Sequence, residues 1–227
     1  MTLLEAISAR HSVRKYLDKE IPADIIAALQ NKIMECNKIG HLNIQLVLNE
    51  TRAFTGMLSY GTFSGVRNYF VMVGRKADDL DERIGYYGEQ LVLLAQTLGL
   101  NTCWVGLTYR KAPDAYQIGK DEKLVCMIAL GYGEKDGPSH KIKTVEQVSN
   151  ASDLTPAWFK RGVEAALLAP TAVNQQKFSF EYAGMSNNRH LVRARKGFSL
   201  IGYTKIDLGI AKCHFEIGAG KENFEWI

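Results

Sequence analysis

Two stretches of this chain carry residue types that can do chemistry together. Arg10-His-Ser-Val-Arg14 sets two guanidiniums near the start of the sequence. If the segment is extended, residues 10, 12 and 14 share one face, so Arg10, Ser12 and Arg14 can touch one ligand while His11, Val13 and Lys15 take the other face. Arginine suits a phosphate, because its planar fork makes charge-assisted bonds to phosphate oxygens and stays ionised. The second stretch is Ala169-Pro-Thr-Ala-Val-Asn-Gln-Gln-Lys-Phe-Ser-Phe180. It reads as a helix end entering a small polar loop and then a strand. Pro170, Thr171, Ala172 and Asn174 would offer backbone N–H groups, a hydroxyl and an amide to a flat ligand, with Gln175 and Gln176 as lesser candidates. Each stretch also has a plainer reading, a surface ion pair for an arginine and a proline-stopped helix for the loop.

The elements that must position these residues are legible in outline. Thr2-Leu-Leu-Glu5 is a capping-box pattern that starts a first helix. Pro22 opens a second helix, followed by a half-buried strand over 43–48. A helical turn through Phe54, Met57 and Leu58 precedes a glycine-rich loop at 61–65. Tyr69 to Val73 is a short apolar strand, and Asp78 or Asp79 caps a long helix that ends at Leu98, with Gly99 placed for a left-handed C-cap. Further on, the pattern gives a strand over 102–105, a short helix over 113–118 and a buried strand over 124–130. A polar stretch from Glu134 to Thr155 carries the linker signals. After it come a helix over 156–168, strands near 176–182 and 198–203, and a last helix from about Ile206.

Composition narrows the class. With 227 residues and 46% hydrophobic, the chain can bury one substantial core or two small units sharing one. No apolar run reaches membrane-spanning length and the first helix is no signal segment, so a cytoplasmic protein without a membrane partner is expected. The four cysteines lie far apart, and the five histidines show no ligand spacing, so no disulfide framework and no metal are expected. A net charge of +4 favours anionic small-molecule ligands. No nucleic-acid motif accompanies the short basic clusters at 135–143 and 189–196, and no nucleic-acid partner is expected.

The second part of the chain reads as a degenerate copy of the first. Pro22, its helix and the strand Ile44-x-Leu46-x-Leu48 match Pro156, its helix and Phe178-x-Phe180-x-Tyr182 at an offset of 134 residues. More loosely, Phe70 to Gly74 parallels Phe198 to Gly202, and Gly85 with Ala95 parallels Gly209 with Ala219. The alternative is chance similarity between two helix–strand units.

Several segments together resemble the nitroreductase family of FMN enzymes. They are Arg10-His-Ser-Val-Arg-Lys-Tyr16, Leu94-Ala-Gln-Thr-Leu-Gly-Leu100 with Asn-Thr-Cys-Trp-Val-Gly106, and Met127-Ile-Ala-Leu-Gly-Tyr-Gly133. The resemblance implies an α+β fold, a nitroreductase-like three-layer α/β/α sandwich with mixed, largely antiparallel sheets. It implies FMN as cofactor, NADH or NADPH as donor, and ping-pong hydride transfer to a nitroaromatic, quinone or other small acceptor, with no catalytic side chain. Arg10, His11, Ser12 and Arg14 would meet the FMN phosphate and ribityl chain, with Arg14 also a candidate for the flavin N1 region. Val105 and Gly106 would present backbone N–H groups near flavin N5, and Lys141 and Lys143 would form a late basic pair for the phosphate. A solvated basic loop is the alternative for that pair. Tyr60, Phe63 and Trp104 are candidate lining residues, and no asparagine stands near Ser59 to Gly61, where the family often places one.

In that family the Pro-Ser/Thr-x-x-Asn loop usually follows the arginine segment by a few dozen residues, whereas here 155 residues separate Arg14 from Ala169. Nitroreductases are twofold dimers in which each subunit lends its loop to the other's site. A fused pseudo-dimer would account for the displacement. The half over 1–145 would then carry the phosphate clamp and a shorter half over 150–227 the loop, giving one site per chain and a monomer. A flavin-binding or sensor module without turnover, or another flavin reductase such as a dehalogenase-type member, are the alternatives.

Overall fold

The computed structural model describes residues 1–55, 62–137 and 140–227. The chain divides into two compact units. The first comprises Ala9–Leu80 and Gln90–Ser139, with Met1; the second comprises Thr2–Ser8, Asp81–Glu89 and His140–Ile227.

A four-stranded antiparallel sheet organises the first unit, with β1 (Gln45–Val47), β2 (Asn68–Arg75), β3 (Asn101–Val105) and β4 (Glu122–Gly131) in the order β1-β2-β4-β3. Strand β2 is buried along all but its last residue. That is why its sequence is an unbroken apolar run rather than an alternation. Tyr69, Val71, Val73, Cys103, Met127 and Ala129 form the centre of its core. Helix α2 (Ala23–Gly40) packs Leu29, Ile33 and Cys36 inward, as the spacing after Pro22 predicts. A buried carboxylate, Glu50, ties this unit together. It accepts from Tyr69 (2.8 Å), from Arg52 Nε (2.7 Å) and from the backbone N–H groups of Arg52 and Ala53. Burial pushes its carboxyl up, but those hydrogen bonds outweigh burial and hold it below the ordinary glutamate value.

Residues 113–118 form turns rather than the short helix their sequence suggests. The Gln45 side chain explains the difference: its amide donates to the Gln117 carbonyl (2.7 Å) and its oxygen accepts from the Gln117 N–H (2.8 Å). With both backbone groups of Gln117 engaged, no helical ladder can use them. The helical turn expected near Phe54 is a short 3-10 turn over Arg52–Phe54. Met57, Leu58, Ser59, Tyr60 and Gly61 lie outside the described residues.

The second unit carries helices α4 (Val145–Val148) and α5 (Ala157–Leu167) and a mixed sheet in which β5 (Phe178–Ser186) pairs antiparallel with β6 (Arg189–Lys196), and β6 pairs parallel with β7 (Glu225–Trp226). Strand β6 reads in the sequence as a basic cluster. The tip between β5 and β6 has both central residues, Asn187 and Asn188, at positive φ (48° and 63°), the requirement of a tight hairpin turn that asparagine tolerates. Glu181 then faces Arg193 and Arg195 across the pair. An aromatic core covers this sheet: Phe180 and Phe215 stack at 4.6 Å, and Phe159 and Phe224 meet Phe215 edge-on. Helix α1 (Leu3–Ala9) begins with the predicted capping box, since Thr2 N–H donates to Glu5 and Glu5 N–H to Thr2 Oγ1.

Residues 198–203 are not the strand their apolar character suggests. They form an irregular loop in which Phe198, Leu200 and Ile201 are exposed. The parallel with Phe70 to Gly74 therefore ends at sequence, since that segment is buried in β2. Helix α3 (Leu80–Thr97) and helix α6 (Thr204–Ala219) meet within the second unit at Gly85 and Gly209. A Cβ on Gly85 would lie 2.1 Å from the Ile206 carbonyl oxygen, and one on Gly209 would lie 2.0 Å from the Glu82 carbonyl oxygen. Only glycine permits backbones this close. Beside the crossing, His214 and Glu89 are fully buried and joined at 2.9 Å, with the other His214 nitrogen 3.1 Å from the Ala165 carbonyl. Because that carbonyl can only accept, Nδ1 carries a proton.

Candidate functional site

Half of the sequence-predicted site residues fall in the first unit. After α1 the chain runs extended, held by main-chain bonds on several sides. Val13 N–H donates to the Thr102 carbonyl (3.0 Å), Tyr16 N–H to Ser64 (3.0 Å) and Leu17 N–H to Tyr132 (2.8 Å). Ser12 pairs in parallel with Thr102 of β3. Val13 and Tyr16 are buried, which pins the register. Arg10 is 5% exposed, Ser12 is half-buried and Arg14 is exposed.

Arg10, Ser12 and Arg14 all act on Cys103 of β3. Burial pushes the Cys103 thiol up, while the charges of Arg14 and Arg10 and a hydrogen bond with Ser12 act the other way. Gly137 passes against Ser12, where a Cβ would come within 2.5 Å of the Ser12 carbonyl oxygen. His11 is half-buried beside that passage. Val105 ends β3 and is buried, with Gly106 next to it. Phe63 packs edge-on against Phe54 at 5.4 Å. Trp104 is half-buried on β3. Tyr60 and the Ser59 to Gly61 segment are not among the described residues.

The other half of the site residues fall in the second unit and form one knot. Helix α5 (Ala157–Leu167) stops before Pro170, and the loop beyond it has Val173, Asn174 and Gln176 at positive φ (46°, 56° and 47°). Backbone in such regions costs about 1–3 kcal/mol per residue and persists only where its surroundings dictate it. Valine, branched at Cβ, is an unfavourable residue there. Its side chain is 75% exposed, so packing does not compensate.

The compensation comes from hydrogen bonds. Gln176, 4% exposed, is the hub: its N–H donates to Thr171 Oγ1 (3.1 Å), and its amide donates to the Lys141 carbonyl and to Asn174 Oδ1 (both 2.9 Å). Asn174 donates to the same Lys141 carbonyl at 2.8 Å. Lys143 closes the knot with its N–H on Gln176 Oε1 (2.8 Å) and its ammonium on the Gln176 carbonyl (2.7 Å). Burial, and then the nearby Lys177, hold that ammonium below the ordinary lysine value. The basic pair suggested for a phosphate therefore has one member, Lys143, already engaged by the loop.

Asp207 enters from the other side. It lies in the first turn of α6, is 2% exposed, and accepts from the Ala172 N–H (3.0 Å) and from Gln175 Nε2 (2.6 Å). Burial pushes its carboxyl up to about 6, against those two hydrogen bonds. Neither Asp207 nor the hub role of Gln176 is foreseen in the sequence. A lone aspartate early in a helix reads as a charge for the helix dipole. Among the described residues nothing takes the Thr171 hydroxyl proton or the Val173 N–H.

A family model described as "Putative TM nitroreductase" matches residues 2–219. A comparison with curated proteins found no match. Among solved structures, a "putative nitroreductase" of Thermotoga maritima is similar with a TM-score of 0.66 at 22% identity, over 98% of this chain and 85% of that one. A "putative nitroreductase in complex with FMN" from Desulfovibrio desulfuricans has a TM-score of 0.54 at 15% identity, over 69% of this chain and 99% of that one. A "Putative NADH dehydrogenase/NAD(P)H nitroreductase" of Bacteroides thetaiotaomicron gives 0.51 at 16%, over 64% and 95%. At these identities the likeness is one of fold, and the fold is α+β and nitroreductase-like.

Proposed function

The chain belongs to the "Putative TM nitroreductase" family, and on that footing we propose that it is an FMN-dependent NAD(P)H oxidoreductase acting on a small acceptor such as a nitroaromatic or quinone. The observation that carries the reading is that the Arg10 and Arg14 charges and the Ser12 hydroxyl all act on Cys103 of β3. A dianionic phosphate calls for such a donor set. In the loop after α5, the Thr171 hydroxyl and the Val173 N–H suit the carbonyls and hydroxyls of a flavin. The donor chemistry of the two regions therefore fits FMN.

Bound FMN would supply two-electron chemistry, reduced by NADH or NADPH and reoxidised by the acceptor. The chain's own residues would bind and orient. Arg10 and Arg14 would neutralise the phosphate, with His11 and Ser12 beside it, and Arg14 could instead face the flavin N1 region. Val105 and Gly106 would offer backbone N–H groups near N5. Pro170, Thr171, Ala172 and Asn174 would meet the isoalloxazine or the ribityl hydroxyls, and Lys141 would add positive charge. Lys143 would act on the phosphate only after leaving Gln176.

We further propose that the chain is a fused pseudo-dimer, with residues 1–145 carrying the arginine segment and residues 150–227 the loop. The helix crossing supports it. Gly85 meets residue 206 and Gly209 meets residue 82, and both pairs, 85 with 209 and 82 with 206, are 124 residues apart. Contacts in which i meets j and the equivalent of j meets the equivalent of i are the mark of a twofold interface. One FMN per chain, in a monomer, is part of the same proposal.

The test is direct. Purified protein should be yellow, or turn yellow with added FMN, and should bleach when NADH or NADPH is added without oxygen. A yellow protein that never bleaches would be a binding module, and one that takes up no FMN would overturn the reading.

A further inference from the structure

We propose that Asp207 is a positioning residue that fixes the strained loop 171–176 in the shape that meets FMN, an inference that rests on the flavin reading above. The two hydrogen bonds it accepts bracket the strain. The Ala172 N–H lies just before Val173 and Asn174, and the Gln175 side chain just after them. Released from both, the pair at positive φ would relax toward ordinary backbone.

The Gln175 amide shows which partner governs the geometry. Its nitrogen serves both Asp207 Oδ2 (2.6 Å) and the Gly202 carbonyl (3.0 Å), while its own buried oxygen is left without a partner. An amide normally turns to satisfy a buried oxygen. Here two acceptors, one of them the Asp207 carboxylate, hold it in the opposite sense. Nor does Asp207 act as a helix cap: no side chain caps the start of α6, and the Asp207 carboxylate faces loop 171–176. Burial that raises its carboxyl to about 6 also marks it as a charge kept at some expense of stability, as a residue serving a site would be.

The experiment compares wild type with Asp207→Ala and Asp207→Asn. Asparagine keeps an acceptor for the Ala172 N–H and leaves Gln175 its bond to the Gly202 carbonyl, so it should rescue most of the loss. Measured with FMN on folded protein well below its melting temperature, the dissociation constant should rise at least tenfold in Asp207→Ala and less than threefold in Asp207→Asn. Amide exchange at Ala172 and Gln176 should be at least tenfold faster in the alanine variant. Unchanged affinity and unchanged exchange in folded Asp207→Ala would overturn the proposal. If wild type binds no FMN, the flavin reading fails alone, and the exchange rates still decide whether Asp207 holds the loop. If alanine prevents folding, Gln175→Leu removes the second anchor, and equal exchange in that variant and wild type would also overturn it.

Discussion

Along Arg10 to Leu17 the main chain does the holding: Val13, Tyr16 and Leu17 donate to Thr102, Ser64 and Tyr132 while the Arg14 side chain stays exposed. Along Thr171 to Gln176 the reverse applies, with side chains of Gln175, Gln176, Asn174, Lys143 and Asp207 holding a backbone that local preference opposes. The difference decides how each region responds to substitution. In the first, a side chain can be removed and its neighbours keep their geometry. In the second, removing one side chain loosens the shape of the whole loop.

The largest expected effect uses the first region. Replacing Arg10 and Arg14 with alanine should weaken FMN binding by roughly two to four orders of magnitude, at about 1.5–3 kcal/mol per charged hydrogen bond. Fluorescence titration measures it. Arg14→Ala alone is the cleaner variant, since Arg10 is buried. Its melting temperature should match wild type while its affinity falls, and the salt dependence of binding should fall with it. Equal salt dependence in both proteins would break the comparison.

Next in size is the helix crossing. Gly209→Ala would press a Cβ onto the Glu82 backbone, which cannot swing away as a side chain can. A loss of about 1–3 kcal/mol or more is expected on chemical denaturation.

The Asp207 carboxyl gives a pH signature for the second region. Its folded value of about 6 lies above the ordinary 3.8, so the folded state binds more protons between those values. Stability from this group is therefore present below about pH 4 and is lost as pH rises through 6, by on the order of 3 kcal/mol. Measured as the difference from Asp207→Asn, wild type should lose ground to the variant across that window. A flat difference would contradict the burial argument. The smallest effect is Val173→Gly, which relieves an exposed residue at positive φ and should stabilise by about 0.5–1 kcal/mol, less the chain entropy glycine adds. Loss of stability there would mean that the valine is held by contacts rather than strained.

Much of the frame was legible in the sequence because it is local. The Thr2–Glu5 box, the apolar run of β2 and the proline-led helices each depend on neighbours within a few residues. The arginine segment was legible as extended, but the burial of Arg10 was not, because tertiary packing sets it. What the sequence hid depends on distant partners. Gln45 unmakes a helix at 117, and Asp207 anchors a loop that lies 35 residues before it. Phe198 to Ile201 has the apolar character of a strand and none of the pairing.

Native mass spectrometry of the FMN-saturated protein decides whether a single chain binds flavin by itself. A species of one 25.4 kDa chain carrying one FMN is expected. Flavin found only on dimers, two per pair, with a bare monomer, would contradict it.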